Sequence, residues 1–230
     1  MSSAPPVVAI DGPAGVGKST TARALAERLG LPYLDTGAMY RCLALDALRR
    51  GVDLDDRDAV EAAAASASLE LRCEGGRVEL VLDGAPVGPE IRTSEVSRAT
   101  SQISAFPGVR RRMVELQRSF GERHGGVIEG RDIGSVVFPS APFKFFLDAD
   151  LAVRAERRHK ELVRRGERHA AAQVAAELER RDRRDRQRAE APLVQCPDHV
   201  RIDTGDLRPE EVVERIARAV EAAAREPSQR

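Results

Sequence analysis

The stretch from Gly12 to Ser19 reads Gly-Pro-Ala-Gly-Val-Gly-Lys-Ser, and its glycines, lysine and serine have the spacing of a phosphate-binding loop. Directly before it, the residues from Val7 to Asp11 form a short apolar run rich in β-branched side chains, which predicts a strand. Directly after it, Ala22, Leu25 and Leu29 recur at helical spacing. A strand, a glycine-rich turn and a helix in this order predict a site for a phosphate group.

The residue types of this loop suit a nucleoside triphosphate. Glycines leave the backbone bare, so that several N–H groups can converge on phosphate oxygens. The helix that follows directs its free N–H groups and the positive end of its dipole toward the same anion. Lys18 is placed to reach the β- and γ-phosphates, and the Ser19 hydroxyl is placed to bind Mg²⁺. The residues that we expect to contact the triphosphate are Gly12, Pro13, Ala14, Gly15, Val16, Gly17, Lys18, Ser19 and Thr20.

The composition is that of a globular protein without a strong net charge. The chain has 230 residues with 42% hydrophobic side chains, which is enough for one α/β core and a small accessory part. Lysine plus arginine and aspartate plus glutamate both number 37, and only 3% of the residues are aromatic, so we expect no nucleic acid polymer as partner. Without a signal-peptide pattern or an apolar run long enough for a bilayer, we expect no membrane association and a cytoplasmic location.

The cysteines and histidines do not indicate a metal site. Cys42, Cys73 and Cys196 lack the spacing of metal ligands, and we expect reduced thiols that pack as small apolar side chains. The histidines are scattered along the chain, and we expect them to be solvent-exposed and without a catalytic role. They are His124, His159, His169 and His199.

The middle of the chain changes from helical to strand periodicity. Residues 69–73 and 78–82 alternate between apolar and polar side chains, and glycine-bearing turns at 75–76 and 83–84 follow these two runs. This pattern predicts antiparallel hairpins, which do not belong to a parallel α/β core. We therefore expect an insertion of about 40 residues, the size of a subdomain. The insertion could form part of a second binding site, and docking of a partner remains an alternative because the sheet has edges to cover.

Polar residues at the ends of predicted elements are further candidates for a site. Thr36 is suited to cap the helix that begins beside it. Arg41, near the start of the same helix, lies off its apolar stripe, and its spacing fits an exposed side chain as well as contact with a second anion. Arg131 and Asp132 follow a predicted central strand, and ligands of open α/β sheets bind at the carboxyl ends of strands.

The segment 150–185 is strongly helical and strongly charged. Two solvated helices joined by ion pairs between neighbouring turns are one interpretation of its alternating arginines and acidic residues. A lid is the other, because a helical hairpin with few large apolar residues is expected to pack loosely and to move. Arginines that face a triphosphate would offset the charge of the transferring phosphoryl group.

Four segments together resemble the bacterial-type cytidylate kinases, which are nucleoside monophosphate kinases. The phosphate loop alone is generic, whereas the three later segments are more specific, and the resemblance extends from about residue 7 to residue 224. Ala14 departs from the serine that is frequent in this family, and Thr36 replaces a common serine but keeps the hydroxyl. The segments are Asp11-Gly-Pro-Ala-Gly-Val-Gly-Lys-Ser19, Asp35-Thr-Gly-Ala-Met-Tyr-Arg41, Gly130-Arg-Asp-Ile-Gly134 and Asp182-Arg-Arg-Asp-Arg-Gln-Arg-Ala-Glu-Ala-Pro-Leu193.

This resemblance implies a P-loop nucleoside monophosphate kinase fold of the α/β class. Its parallel five-stranded sheet would have the order 2-3-1-4-5, flanked by helices, with the antiparallel hairpin insertion and a helical lid. A single domain, 1–230, would comprise a core, a monophosphate-binding region and the lid. The core would span about 7–35, 107–150 and 190–225, the monophosphate-binding region about 36–106, and the lid about 151–189.

The resemblance also implies the reaction and its residues. ATP would donate a phosphoryl group to CMP or dCMP, with Mg²⁺ held through Ser19, in a cytoplasmic monomer. Lys18, Arg131 and Arg188 would be catalytic, and Thr36 would belong to the acceptor site. The cytosine would be contacted by Ser101, Arg110 and Asp132, the acceptor phosphate by Arg41, Arg131 and Arg188, and the ribose by Arg181 and Asp185.

Two other functions remain open on the residues alone. One is a kinase for another small acceptor, such as UMP, dTMP or shikimate. The arginines of the acceptor site would bind any monophosphate, so only the residues that contact the base would distinguish these substrates. A P-loop ATPase that acts as a switch would need the phosphate loop but no second nucleotide.

Overall fold

The structure, a computed structural model, describes residues 5–225. The strands are β1 (Val7–Asp11), β2 (Tyr33–Asp35), β3 (Leu69–Glu74), β4 (Arg77–Leu82), β5 (Ala85–Pro86), β6 (Gly126–Glu129), β7 (Phe143–Asp148) and β8 (Val200–Asp203). The helices are α1 (Lys18–Leu29), α2 (Thr36–Arg49), α3 (Arg57–Ser66), α4 (Ser94–Ile103), α5 (Pro107–His124), α6 (Leu151–Arg164), α7 (Ala171–Gln187) and α8 (Pro209–Arg225). A 3₁₀ turn spans Pro89–Arg92, and a π-helical turn spans Ile133–Val137.

A parallel sheet of five strands organises the α/β fold. Its order is β2-β6-β1-β7-β8, which becomes 2-3-1-4-5 when only these five strands are counted along the chain. The parallel register pairs Ile10 of β1 with Phe145 of β7, and Leu147 of β7 with Ile202 of β8. Every residue of β1 and β6 is buried, as expected for strands of a parallel sheet that is covered on both faces. The predicted fold class is confirmed.

The polypeptide divides into two compact units. Within the described residues, the first unit comprises 5–6 and 32–126, and the second comprises 7–31 and 127–225. The first unit contains α2 to α5 and the antiparallel strands. The second contains the phosphate loop, α1 and the chain from β7 onward.

The predicted hairpins of the first unit are confirmed. Strands β3, β4 and β5 form an antiparallel sheet in this order. Each of the two connections consists of two residues with positive φ, 56° and 81° at Gly75 and Gly76, and 50° and 80° at Asp83 and Gly84. Positive φ at both positions is the geometry of type I′ turns, whose twist matches that of the flanking strands.

The start of α2 differs from the sequence-based expectation. The predicted cap at Thr36 is wrong, because Thr36 is already helical and buried. Asp35 caps the helix instead, and its Oδ1 accepts a hydrogen bond of 2.8 Å from the Ala38 N–H. Thr36 and Asp35 are both residue types that cap helices well, and the extended backbone at Asp35 decides between them.

In the described part of the chain, no helix combines the length and the apolar composition that crossing a bilayer requires.

Candidate active site

The phosphate loop connects β1 to α1 and approaches other backbone segments closely. A Cβ atom at Gly12 would lie 2.1 Å from the Leu147 carbonyl oxygen of β7, and one at Gly15 would lie 3.1 Å from the Arg154 Cβ of α6. Gly17 has φ of 93° and stands at the N-cap of α1. Glycine is therefore needed here for backbone packing and conformation as well as for access by a phosphate.

Lys18 is held at this loop as a buried amine. The side chain is 6% exposed, and its Nζ donates a hydrogen bond of 2.8 Å to the Pro13 carbonyl oxygen. Burial, reinforced by the positive charge of Arg131, lowers the pKa of Lys18 from 10.5 to about 7. A triphosphate beside the amine would favour its charged form again, because an opposite charge raises the pKa of a lysine.

The start of α1 offers oxygen atoms that suit Mg²⁺. Ser19 and Thr20 are exposed in the first turn, so the Ser19 hydroxyl is accessible to a ligand. The Glu129 carboxylate is close enough to Lys18 to oppose the lowering of its pKa. Hydroxyl and carboxylate oxygens are the protein ligands that Mg²⁺ prefers, so these residues fit the ion.

Three of the predicted acceptor-binding arginines meet in the second unit around the buried carboxylate of Asp185, which is itself a predicted acceptor-binding residue. Arg131 Nε donates a hydrogen bond of 2.9 Å to Asp185 Oδ2, and Arg188 pairs with Oδ1 of the same carboxylate. Burial opposes ionisation of Asp185, but Arg131, Arg188 and Arg181 outweigh it and hold the pKa of this carboxyl below its ordinary value. The result is a cluster of guanidinium groups, the kind of group that binds phosphate.

Asp132, the residue predicted to contact the cytosine, is also buried in the second unit. It follows Arg131 directly and precedes the π-helical turn at the end of β6. A buried carboxylate at the carboxyl end of a central strand matches the position expected for a ligand-binding residue.

The remaining predicted residues, Thr36, Arg41, Ser101 and Arg110, belong to the first unit. Arg41 Nη2 donates a hydrogen bond of 2.8 Å to Asp35 Oδ2, so this arginine is partly buried and oriented rather than free in solvent. Ser101 on α4 and Arg110 on α5 are both buried. Among the described residues, the Ser101 hydroxyl has no hydrogen-bond partner, which leaves it available to a ligand.

The second unit also contains an ion pair that links the phosphate loop to α6 and α7. Arg154 Nη1 donates to Asp182 Oδ2 at 2.6 Å and to the Ala14 carbonyl oxygen at 3.2 Å. The phosphate loop, α6 and α7 also share an apolar cluster, so the expectation that the hairpin of α6 and α7 has too few apolar residues to pack is wrong. The cluster consists of Ala14, Ala155, Leu162, Val174 and Leu178.

Removing one partner of this ion pair should destabilise the protein strongly. Both side chains are 5% exposed, so Asp182→Ala leaves the Arg154 guanidinium buried without a counter-charge. We expect a loss of about 3 kcal/mol in the free energy of unfolding, measured by denaturant titration. The control is Glu156→Gln, which breaks the exposed pair of Glu156 with Lys160 and should leave the unfolding curve unchanged. Equal, small effects of both substitutions would contradict a structural role of the buried pair.

The histidines are less exposed than the sequence-based expectation, because His124, His159 and His169 are half-buried and His199 is buried. The His199 side chain is fully buried, and its Nε2 lies 3.5 Å from Asp11 Oδ2. Its Nδ1 accepts a hydrogen bond of 2.8 Å from the Cys196 N–H. The possible metal ligands of Cys196, Asp198 and His199 lie within 4.8 Å of one another, but Asp198 already pairs with Lys144. Because Lys144 already neutralises the Asp198 carboxylate, we do not assign a metal site to this cluster.

Sequence reasoning missed Asp11, Asp35 and Arg154 as contributors to the site. Asp11 carries the clearest signal, since a carboxylate that ends a buried apolar strand needs a partner. Asp35 could be found from its position before α2. No sequence signal distinguishes Arg154 from the other arginines of α6, because its burial depends on contacts with the phosphate loop and α7.

Comparisons with known proteins identify the family of this chain. A family model described as cytidylate kinase matches residues 8–222. The cytidylate kinase of Solibacter usitatus is 51% identical over 216 residues, which cover 93% of this chain and 91% of that protein. The cytidylate kinase of Pelotomaculum thermopropionicum is 47% identical over 222 residues, which cover 96% of this chain and 98% of that protein.

Among solved structures, an uncharacterized protein from Eubacterium ventriosum has a TM-score of 0.51 at 14% identity, covering 94% of this chain and 98% of that one, which indicates a shared fold alone. The family model and the relatives of high identity extend over nearly the whole sequence. The chain therefore belongs to the cytidylate kinase family.

Proposed function

We propose that this protein transfers the terminal phosphoryl group of ATP to CMP or dCMP and forms ADP and CDP or dCDP. The observation that carries the proposal is the second unit itself, which holds a phosphate loop with its lysine and a separate cluster of arginines around Asp185. A nucleotide triphosphatase needs only the first of these features. An enzyme that binds a second phosphate needs both.

The donor ATP binds at residues 12–20 in this proposal. The loop N–H groups and the N-terminus of α1 contact the phosphates, and Lys18 neutralises charge on the β- and γ-phosphates. Mg²⁺, held through Ser19, supplies further neutralisation of the phosphate oxygens when bound. The chain itself orients the γ-phosphate and excludes water, which is a competing acceptor.

The acceptor phosphate binds Arg41, Arg131 and Arg188, and the ribose binds Arg181 and Asp185. Asp185 pairs with Arg131 and Arg188, so the protein itself orients these two side chains. Preorganised guanidinium groups lower the entropy loss on binding and provide charge where it develops during transfer.

Recognition of cytosine is assigned to Ser101, Arg110 and Asp132, with Thr36 as a further residue of the acceptor site. Cytosine presents an amino donor beside acceptor atoms. A carboxylate accepts from the amino group, while a guanidinium and a hydroxyl donate to acceptors. The burial of Ser101, Arg110 and Asp132 supports this assignment. Polar side chains that are shielded from water distinguish best between bases, because a wrong base leaves them buried without a hydrogen-bond partner.

We further propose a cytoplasmic monomer of one kinase domain. Its core would comprise about 7–35, 107–150 and 190–225, its monophosphate-binding region about 36–106 and its lid about 151–189. Free nucleotides as substrates support the cytoplasm as the compartment.

The proposal is tested by following ADP release with Mg-ATP and a panel of acceptors, namely CMP, dCMP, UMP, AMP, GMP, dTMP and shikimate, beside a reaction without acceptor. We expect fast turnover with CMP and dCMP and little with the other compounds. A preference for another acceptor would reassign the base-binding residues. Equal ADP release with and without acceptor would identify a hydrolase and overturn the proposal.

A further inference from the structure

Asp11 is a buried carboxylate for which the proposed reaction provides no role. It is the last residue of β1, directly precedes the phosphate loop and is 0% exposed. Its Oδ1 accepts a hydrogen bond of 2.8 Å from the Ile133 N–H, and its Oδ2 accepts one of 2.7 Å from the Gly134 N–H. Both oxygens are thus used to bind the backbone of one short segment.

The other end of that segment is attached to the neighbouring residue of β1. The Gly130 N–H donates a hydrogen bond of 3.0 Å to the Ile10 carbonyl oxygen. The segment from Gly130 to Gly134 is therefore fixed at both ends by consecutive residues, Ile10 and Asp11. Arg131 and Asp132, the proposed ligands of the acceptor phosphate and the cytosine, are located between the two attachment points.

The side chains packed against Gly134 leave no space for a Cβ atom at this position. A Cβ atom at Gly134 would lie 2.5 Å from His199 Nε2 and 3.2 Å from two side-chain carbons of Lys144. Only glycine leaves room for the N–H to reach Asp11. The His199 ring is itself held in place, because its Nδ1 accepts a hydrogen bond from the Cys196 N–H, and its Nε2 lies 3.5 Å from Asp11 Oδ2.

We infer that Asp11 is a positioning residue for the acceptor: its carboxylate fixes Arg131 and Asp132 relative to the phosphate loop that begins at Gly12. This inference rests on the proposed function, which assigns those two residues to CMP. One peptide bond joins Asp11 to the donor site, and two hydrogen bonds join it to the segment that carries the acceptor ligands. In-line transfer needs the acceptor phosphate to be aligned with the γ-phosphate of the donor. A misplacement of the acceptor by about 1 Å can reduce the rate about 100-fold.

Asp11→Asn tests this role with little change in volume. An amide offers one oxygen and one NH₂ group, so one of the two backbone N–H groups would face a donor instead of an acceptor. We expect the KM for CMP to rise about tenfold and kcat to fall about tenfold or more, because the acceptor ligands lose their fixed position. By calorimetry, the affinity for CMP should fall by a similar factor, whereas that for a non-hydrolysable ATP analogue should change less than about twofold.

The matched control is Asp46→Asn, which alters another buried carboxylate, on α2, that accepts a hydrogen bond from Arg50. It should leave both KM values and both affinities unchanged, even if it lowers the thermal midpoint. Gly134→Ala is the second test variant, because its Cβ displaces the same N–H from Asp11 without touching the carboxylate. The same KM, kcat and affinity measurements are made on Gly134→Ala, and they test the inference if Asp11→Asn does not fold.

The outcomes separate this inference from the proposed function. Selective loss on the CMP side in either variant supports the positioning role. Unchanged CMP kinetics, or equal losses for CMP and the ATP analogue, would overturn it while the wild-type enzyme still uses CMP. A wild-type enzyme that does not use CMP would overturn the proposed function, and the inference with it.

Discussion

Lys18→Met should reduce kcat with ATP and CMP by at least about 100-fold, because it removes the cation that neutralises charge on the transferring phosphoryl group. Methionine keeps the apolar stem of the side chain and removes only the buried amine. The rate is measured as CDP formation at saturating concentrations of both substrates. Lys160→Ala, at an exposed lysine of α6, is the control and should retain the wild-type rate. A Lys18→Met enzyme with turnover near that of the control would contradict the role of the phosphate loop.

The same variant should be more stable than the wild type in the absence of ligand. Between the folded-state pKa of Lys18, about 7, and the ordinary value of 10.5, the unfolded state binds more protons, so wild-type stability rises with pH in this window. Below pH 7 both states are protonated, and the folded state bears the full penalty of a buried ammonium group. The gain in thermal midpoint should thus be larger at about pH 6 than at about pH 9. Loss of activity together with higher stability would separate function from folding.

Asp132→Ala should reduce kcat/KM for CMP by about 100-fold or more, because the cytosine amino group loses a buried acceptor. The KM for ATP should change less than about threefold, since Asp132 has no proposed contact with the donor. Both constants come from initial rates with one substrate varied and the other saturating. Discrimination between CMP and UMP should also weaken, because the carboxylate is the group that selects an amino donor.

The control for Asp132 is Asp58→Ala, which removes an exposed carboxylate in the first turn of α3. It should leave both specificity constants at wild-type values. Equal losses for CMP and ATP in Asp132→Ala would show that Asp132 supports the fold of the site rather than reading the base.

The features that the sequence predicts correctly are local. The strand, loop and helix around Gly12–Ser19 occupy consecutive residues, and the hairpins depend on two-residue turns. Hydrophobic periodicity and turn chemistry act over the same short range, which is why both are visible without a structure. The sheet order was accessible only through the family resemblance.

The features that the sequence leaves open depend on contacts between distant residues. Arg131 and Asp185 are 54 positions apart, and Arg154 and Asp182 are 28 positions apart, so their pairing cannot be read from spacing within one helix. The burial of His199 likewise depends on the segment around Gly134. Tertiary contacts of this kind decide which of many arginines and histidines are buried.

The most direct test of the central claim uses ATP labelled with ³²P in the γ-position, incubated with the protein, Mg²⁺ and CMP and followed by chromatography. We expect the label to appear in CDP, with little inorganic phosphate while CMP is present. Label that appears only as inorganic phosphate, at the same rate with and without CMP, would contradict a kinase and indicate hydrolysis of ATP.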